Sequence, residues 1–213
     1  MSNTGKAAIL GAFQGGPKDQ EKYFDNWAAT YDEDVVGEYS GGEQCGPILL
    51  KHLKPNDKIL FVGAGTGTEA THLAERGFHH LTALDASSKM LEKANQRGIF
   101  ERIIHEVLEP DKRSSLATGE FDAMVCVGVF YPGALDARYL EEIIRPVCRG
   151  GKSIIGVREA FYKPSPDWNY PYDLDAKMKE LQLSGKWKLI DEQRMSGYSM
   201  NNMIGLYRVH EIL

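Results

Sequence analysis

The sequence predicts an α/β fold: a doubly wound sheet, mostly parallel, with a reversed hairpin at its C-terminal edge. Three observations carry this. From position 58 to 157, short apolar runs alternate with amphipathic stretches of helical period. A glycine-rich turn stands where the first apolar run meets its helix. The last two apolar runs are joined by too short a link for another crossover.

Residues 1–19 hold Gly5, Gly11, Gly15 and Gly16, then Pro17, with no sustained period, and read as a mobile arm. Tyr23, Phe24, Trp27, Ala28 and Tyr31 then recur at helical spacing. A second helix carries Cys45, Ile48, Leu49 and Leu53 on one face, so residues 20–54 form an N-terminal helical cap on a core spanning 55–213, in one domain. After the turn at Pro55, residues 58–63 make a strand, and Ala70, Leu73 and Ala74 mark a helix that Gly77 stops. Residues 81–85 form the second strand. Ser87 can cap a helix with Met90, Leu91 and Ala94. Residues 102–107 read as a third strand and 121–128 as a strongly apolar fourth. An amphipathic helix follows from Leu135 through Val147, then a fifth strand at 153–157. Strands alternating with helices imply right-handed crossovers and a sheet covered on both faces. The ending differs: a helix at 174–183, then runs at 187–193 and 204–209 that suit an antiparallel hairpin.

The chain has 213 residues, 42% hydrophobic and 26% charged, with a formal net charge of −5. An acidic balance speaks against a nucleic-acid partner, because nonspecific binding to phosphates draws its affinity from clustered Lys and Arg. No run approaches the roughly 18 apolar residues of a membrane span, and the weak apolar stretch near the start does not read as a secretory signal. Cys45, Cys126 and Cys148 lie in apolar segments and read as reduced core thiols. The expectation is a soluble cytoplasmic protein with no membrane partner. The six histidines lack ligand spacing, so no metal site is expected.

Gly63, Gly65 and Gly67 alternate around Ala64 at the turn from strand to helix, where main chain must come close to a ligand or bend sharply. Asp85 ends the second strand, 18 residues past Gly67. A carboxylate at that edge lies in the crevice where open α/β sheets bind ligands and can accept hydrogen bonds from ribose hydroxyls. A helix cap is its plainer role. A dinucleotide site favours G-x-G-x-x-G, but here the third glycine falls one residue early and Thr68 takes its place, which opposes an NAD-dependent oxidoreductase.

The run ILFVGAGTGTEATHLAERG followed by LTALDASSKMLEKA resembles motifs I and II of class I methyltransferases, whose usual form is ILDVGCGTG and then a strand ending in an acidic residue. WAATYDEDV, FDAMVCVGVF and CRGGKSIIGVRE extend the resemblance over most of residues 20 to 160. The resemblance implies the Rossmann-like, seven-stranded methyltransferase type of sheet, S-adenosylmethionine as cofactor and S-adenosylhomocysteine as product. Carried over by position, it places Gly63, Ala64, Gly65 and Gly67 at the cofactor's amino-acid end and Asp85 on the ribose. Ala86 and Met90 would flank the adenine, with Val107 and Leu108 at its edge. Val127 and Gly128 would lie beneath the sulfonium. Tyr23, Trp27 and Tyr31 match aromatic positions that close over the cofactor in similar enzymes, plain core packing being the other reading. One departure is Phe61, where family members commonly carry an acidic residue.

Acceptor residues are expected on loops after the fourth and fifth strands: Phe130, Tyr131, Arg158, Glu159, Tyr162 and Trp168. So many aromatics suggest a largely apolar pocket for a small-molecule acceptor. In-line methyl transfer from a sulfonium needs alignment more than a dedicated base. Glu159 and Tyr131 are the candidate catalytic groups. The competing readings are a catalytically silent methyltransferase-like domain, which Phe61 favours, and the oxidoreductase.

Overall fold

The computed structural model of the chain describes residues 15–199 and 202–213. Of the arm expected at 1–19, residues 1–14 lie outside these, and the remainder is partly helical. Helix α1 spans Pro17–Trp27. Proline at its first position loses no helical hydrogen bond, and the Asp19 carboxylate accepts from the Gly16 amide at 3.0 Å, which fixes the start. The aromatic stripe does not run on as one helix. The chain breaks after Trp27, and Tyr31 opens a separate turn, α2, at Tyr31–Asp34. Trp27 Nε1 and Thr30 Oγ1 both donate to Asp34 Oδ2, at 2.8 and 2.7 Å, and pin the two helices together. Helix α3, Gly41–His52, buries Cys45, Ile48 and Leu49.

The core follows the alternating order: β1 Ile59–Val62, α4 Thr68–Ala74, β2 Leu81–Asp85, α5 Ser88–Gln96, β3 Arg102–His105 and β4 Phe121–Val127. A 3₁₀ turn at Ala137–Tyr139 leads into α6, Leu140–Ile144, then β5, Val147–Arg158. Helix α7, Leu174–Leu183, precedes the hairpin of β6, Trp187–Ser199, and β7, Met203–Ile212. Val147 belongs to β5 and not to the helix before it; Gly150 and Gly151 fall within a strand whose ladder with β4 shifts register there.

The sheet order is β3-β2-β1-β4-β5-β7-β6. The pairs among β1 to β5 are parallel, while β7 runs antiparallel between β5 and β6, as the short link required. Successive strand residues point to opposite faces. Leu60 and Val62 therefore join one core with α6 and α7, whereas Ile59 and Phe61 join another with α3, α4 and Leu91 of α5. The strand order reverses between β1 and β4, and at such a point the carboxyl ends of the strands open a crevice. No helix among the described residues is long and apolar enough to cross a membrane.

Candidate functional site

The crevice is a cavity of about 560 Å³, within the usual range for small-ligand sites of roughly 300 to 1,000 Å³. Its floor is the glycine turn after β1. Gly63 and Ala64 amides both donate to the Leu84 carbonyl, at 2.8 and 3.0 Å, which folds the turn back onto β2. Gly65, at φ +53°, has open space where a side chain would start, so main chain faces the cavity. Gly67 does not line it. A Cβ there would meet the Phe100 ring at 2.7 Å and Ala94 of α5 at 3.5 Å, so this glycine is packed against Phe100 and α5.

Asp85 lies at the cavity wall with both oxygens engaged. Gly65 N donates to Oδ2 and Ser87 N to Oδ1, each at 2.8 Å. The helix cap is Ser87, whose Oγ accepts from Met90 N at 3.1 Å. Burial pushes the Asp85 carboxyl above its ordinary range, and the amides offset part of this. Ala86, Met90, Val107 and Leu108 line the same end; Val127 and Gly128 line the middle, at the end of β4.

Helices α1 and α2 roof the cavity. Phe24 and Trp27, with Gln20 one turn earlier, share the inward face of α1, and Tyr31 continues the wall from α2. Tyr23 is not on the wall: one residue before Phe24, it is rotated by about 100° around the helix and packs edge-on against Phe24 and Trp27 at 5.5 and 5.8 Å. Asp25 Oδ1 accepts from Ser87 Oγ at 2.7 Å and Lys89 N at 3.0 Å, docking α1 on the start of α5. Asp32 accepts from Thr66 Oγ1 at 2.5 Å and from Arg97 Nη2 at 2.9 Å, docking α2 on the glycine turn.

On the acceptor side Phe130, Tyr131 and Arg158 line the cavity. Glu159, Tyr162 and Trp168 do not. The Glu159 carboxylate is turned outward, held by Arg194 of β6 at 2.6 Å, which removes it as a base in this arrangement. The Tyr162 hydroxyl is buried and donates to the Leu206 carbonyl at 3.2 Å. Trp168 packs edge-on against Phe161 at 5.9 Å, behind the wall. Tyr131 donates to Gln20 Oε1 at 3.2 Å, and burial raises its phenol well above the ordinary value.

Sequence reasoning missed Phe24 as a wall residue, and also Tyr39, Glu69, Tyr198 and Ser199. Glu69 is the notable one. In the first turn of α4, it brings a carboxylate to the cavity while Phe61 is buried edge-on against Phe100, at 6.0 Å, in the core. Burial pushes the Glu69 carboxyl up to about 7. Its signal in the sequence, an acid two residues after the last glycine, reads equally as helix-dipole complement. Among the described residues no group of three His, Cys, Asp or Glu side chains could hold a metal ion.

The fold is the seven-stranded one of class I methyltransferases. Residues 60–155 match the family described as "Methyltransferase domain". The chain is 28% identical over 172 residues to methyltransferase-like protein 27 of Homo sapiens, covering 78% of this chain and 67% of that protein. It is 30% identical over 117 residues to the eEF1A lysine and N-terminal methyltransferase of Danio rerio, covering 52% of this chain but 17% of that protein. Among solved structures, it is similar to a putative methyltransferase in complex with the Haloferax volcanii Trm112 methyltransferase activator. There the TM-score is 0.66 at 17% identity, covering 89% of this chain and 97% of the other. It is also similar to the 1,6-didemethyltoxoflavin-N1-methyltransferase of Burkholderia thailandensis, solved with 1,6-didemethyltoxoflavin and S-adenosylhomocysteine. That TM-score is 0.61 at 18% identity, covering 93% and 91% of the two chains.

Proposed function

We propose that this chain transfers a methyl group from S-adenosylmethionine to a small-molecule acceptor. One observation carries the reading. A single roofed cavity joins the bare main chain of Gly65 and the Asp85 carboxylate, on the β1–β2 side, to an aromatic compartment over β4 and β5. Residues 55–213 act as one core and 20–54 as its cap, and the chain works in the cytoplasm. The wording of residues 20 to 160 is also similar to the methyltransferase-like protein of the Williams-Beuren syndrome region.

The residues present fit the cofactor. Gly63, Ala64 and Gly65 give the close main-chain approach its amino-acid portion needs, and Glu69 supplies the carboxylate for its ammonium in place of the usual acid at Phe61. Asp85 keeps lone pairs for the ribose hydroxyls after accepting two amides. Ala86, Met90, Val107 and Leu108 take the adenine, while Trp27 and Tyr31 cover it. When bound, the sulfonium supplies an activated methyl group. The chain's own work is alignment and exclusion of water: Val127 and Gly128 hold the floor, Tyr131 fixed by Gln20 borders the acceptor, and the α1–α2 roof keeps solvent out. No side chain is required as base, in keeping with the outward turn of Glu159.

Calorimetry with S-adenosylmethionine, S-adenosylhomocysteine and NAD tests the cofactor, and affinity for NAD alone would reverse the assignment to the oxidoreductase. Labelled methyl donor incubated with separate metabolite and protein fractions of an extract tests the acceptor. Label in the metabolites supports the proposal. Label in protein favours the second reading, a protein side chain, which the name of the Danio rerio relative suggests. Binding without transfer to either favours the silent domain, to which Phe61 lends support.

A further inference from the structure

Charge is divided unevenly around the cavity. Asp32, Glu69 and Asp85 stand beside the glycine turn, and the one cation there among the described residues, Arg97, is tied to Asp32 at 2.9 Å and to the Thr66 carbonyl at 2.6 Å. The other guanidinium on the wall, Arg158, ends β5. Strand β4 lies between β1 and β5, so Arg158 sits two strand spacings, roughly 9.6 Å, across the sheet from the glycine turn. It is 8% exposed, and its guanidinium carbon lies 5.3 Å from the centre of the Phe161 ring and 5.9 Å from that of Trp168. A cation so enclosed by aromatic faces is positioned, not solvated.

Two hydroxyls share this end of the cavity. Tyr39 and Ser199 form an isolated antiparallel bridge, and both line the cavity. Tyr39 Oη and Ser199 Oγ are buried and, among the described residues, make no hydrogen bond of ordinary geometry, the phenol neighbour of Tyr39 being Tyr198. Tyr39 Oη rests over Gly128, where a Cβ would stand 2.2 Å from it, at the end of β4. Buried polar groups in folded proteins nearly all have partners, and an exception calls for a reason. A guanidinium offers a planar fork that matches a carboxylate, and two hydroxyls can each donate to its oxygens.

We propose that the acceptor compartment is built for an otherwise apolar molecule carrying an anionic group, a carboxylate, bound by Arg158 with the hydroxyls of Tyr39 and Ser199. This rests on the methyl-transfer reading above and names the substrate class of that same site. The anionic group anchors the acceptor over β5, and its reacting atom is directed toward Gly128 and the cofactor side.

The test uses the full chain saturated with S-adenosylhomocysteine. It is titrated with a panel of aromatic and aliphatic carboxylates, each beside its primary amide of the same shape, benzoate with benzamide among them. The acids are expected to bind roughly tenfold more tightly than their amides, the worth of a charged hydrogen-bond partner. Arg158→Met is expected to remove the preference and Arg158→Lys to keep part of it. Tyr39→Phe is expected to reduce acid affinity by about threefold to tenfold, as loss of one neutral donor does. The variants should hold S-adenosylhomocysteine near wild-type affinity, which also shows that they are folded. No acid preference in the wild type, or a preference that survives Arg158→Met, overturns the proposal. So does loss of S-adenosylhomocysteine affinity in a folded Arg158→Met, since Arg158 would then serve the cofactor's own carboxylate. Failure of the wild type to bind S-adenosylhomocysteine overturns the cofactor reading instead, and the acid and amide comparison is then read on the free protein.

Discussion

The Gly65 amide donates to Asp85 Oδ2 at 2.8 Å, so the carboxylate proposed for the ribose also holds the glycine turn proposed for the rest of the cofactor. With Ser87 N on the other oxygen, Asp85 joins β1's turn to the start of α5. Asp85→Ala should therefore do two things. S-adenosylhomocysteine affinity should fall by about 1 to 3 kcal/mol, and the thermal midpoint should drop because two part-buried amide hydrogen bonds lose their acceptor. Calorimetry and thermal unfolding of one preparation measure both, and a change in affinity alone would deny the structural share.

Gly65 and Gly67 should separate cleanly. Both have positive φ, +53° and +86°, and alanine in that region costs roughly 1 to 2 kcal/mol. At Gly65 the new methyl faces open cavity, so Gly65→Val should abolish cofactor binding with a modest loss of stability. At Gly67 it drives into the Phe100 ring, so Gly67→Ala should lose more stability than Gly65→Ala. Denaturant melts beside ligand titrations decide this; equal effects at the two positions would contradict the placement.

Glu69 predicts a pH dependence. Burial raises its carboxyl to about 7, above the ordinary Glu value, so in the folded free protein it holds a proton that the unfolded chain has already released. Its contribution to stability is therefore fully present below the ordinary Glu range and is lost as pH rises through about 7. Asp85 shifts in the same direction. An ammonium placed against Glu69 favours the carboxylate, so S-adenosylhomocysteine should bind more tightly as pH rises toward about 7 and then level off. Binding below that pH should release a proton. Glu69→Gln should bind more weakly with a flatter profile. Calorimetry in buffers of different ionisation enthalpy counts the proton, and an unchanged profile in the variant removes Glu69 from the site.

Restoring the usual acid should harm the protein. Phe61 is 3% exposed and packed against Phe100, while Glu69 lines the cavity. Phe61→Asp would bury a carboxylate and lose a ring, a change in the range of roughly 4 kcal/mol or more. Urea melts should show that loss, and a variant of wild-type stability with tighter cofactor binding would refute the assignment of Glu69.

The fold was legible where its signals are local. Apolar runs ending at Gly63 and Asp85 mark the parallel strands, and the short link before β7 marks the reversal. Among the expected site residues, many that line the cavity lie on those signals, at Gly63, Gly65, Asp85 and the residues just after each strand. It was not legible where distant segments decide. Arg194, 35 residues away on another strand, turns Glu159 outward, and the Leu206 carbonyl, 44 residues on, holds Tyr162 away from the cavity. Tyr39 and Ser199 meet only because the hairpin returns over the end of β4. Tyr23 failed for a different reason: helical spacing names a stripe but does not say which of two adjacent aromatics faces inward.

The described residues fasten the roof by Asp25 to the first turn of α5, by Asp32 to Thr66 and Arg97, and by Gln20 to Tyr131. With a nucleoside held below these segments, parting of the latches is expected to set how readily it enters and leaves. An enzyme built this way would be paced by the undocking of a lid, and salt, which weakens the half-exposed Asp32 and Arg97 pair, would hasten the spent cofactor's escape.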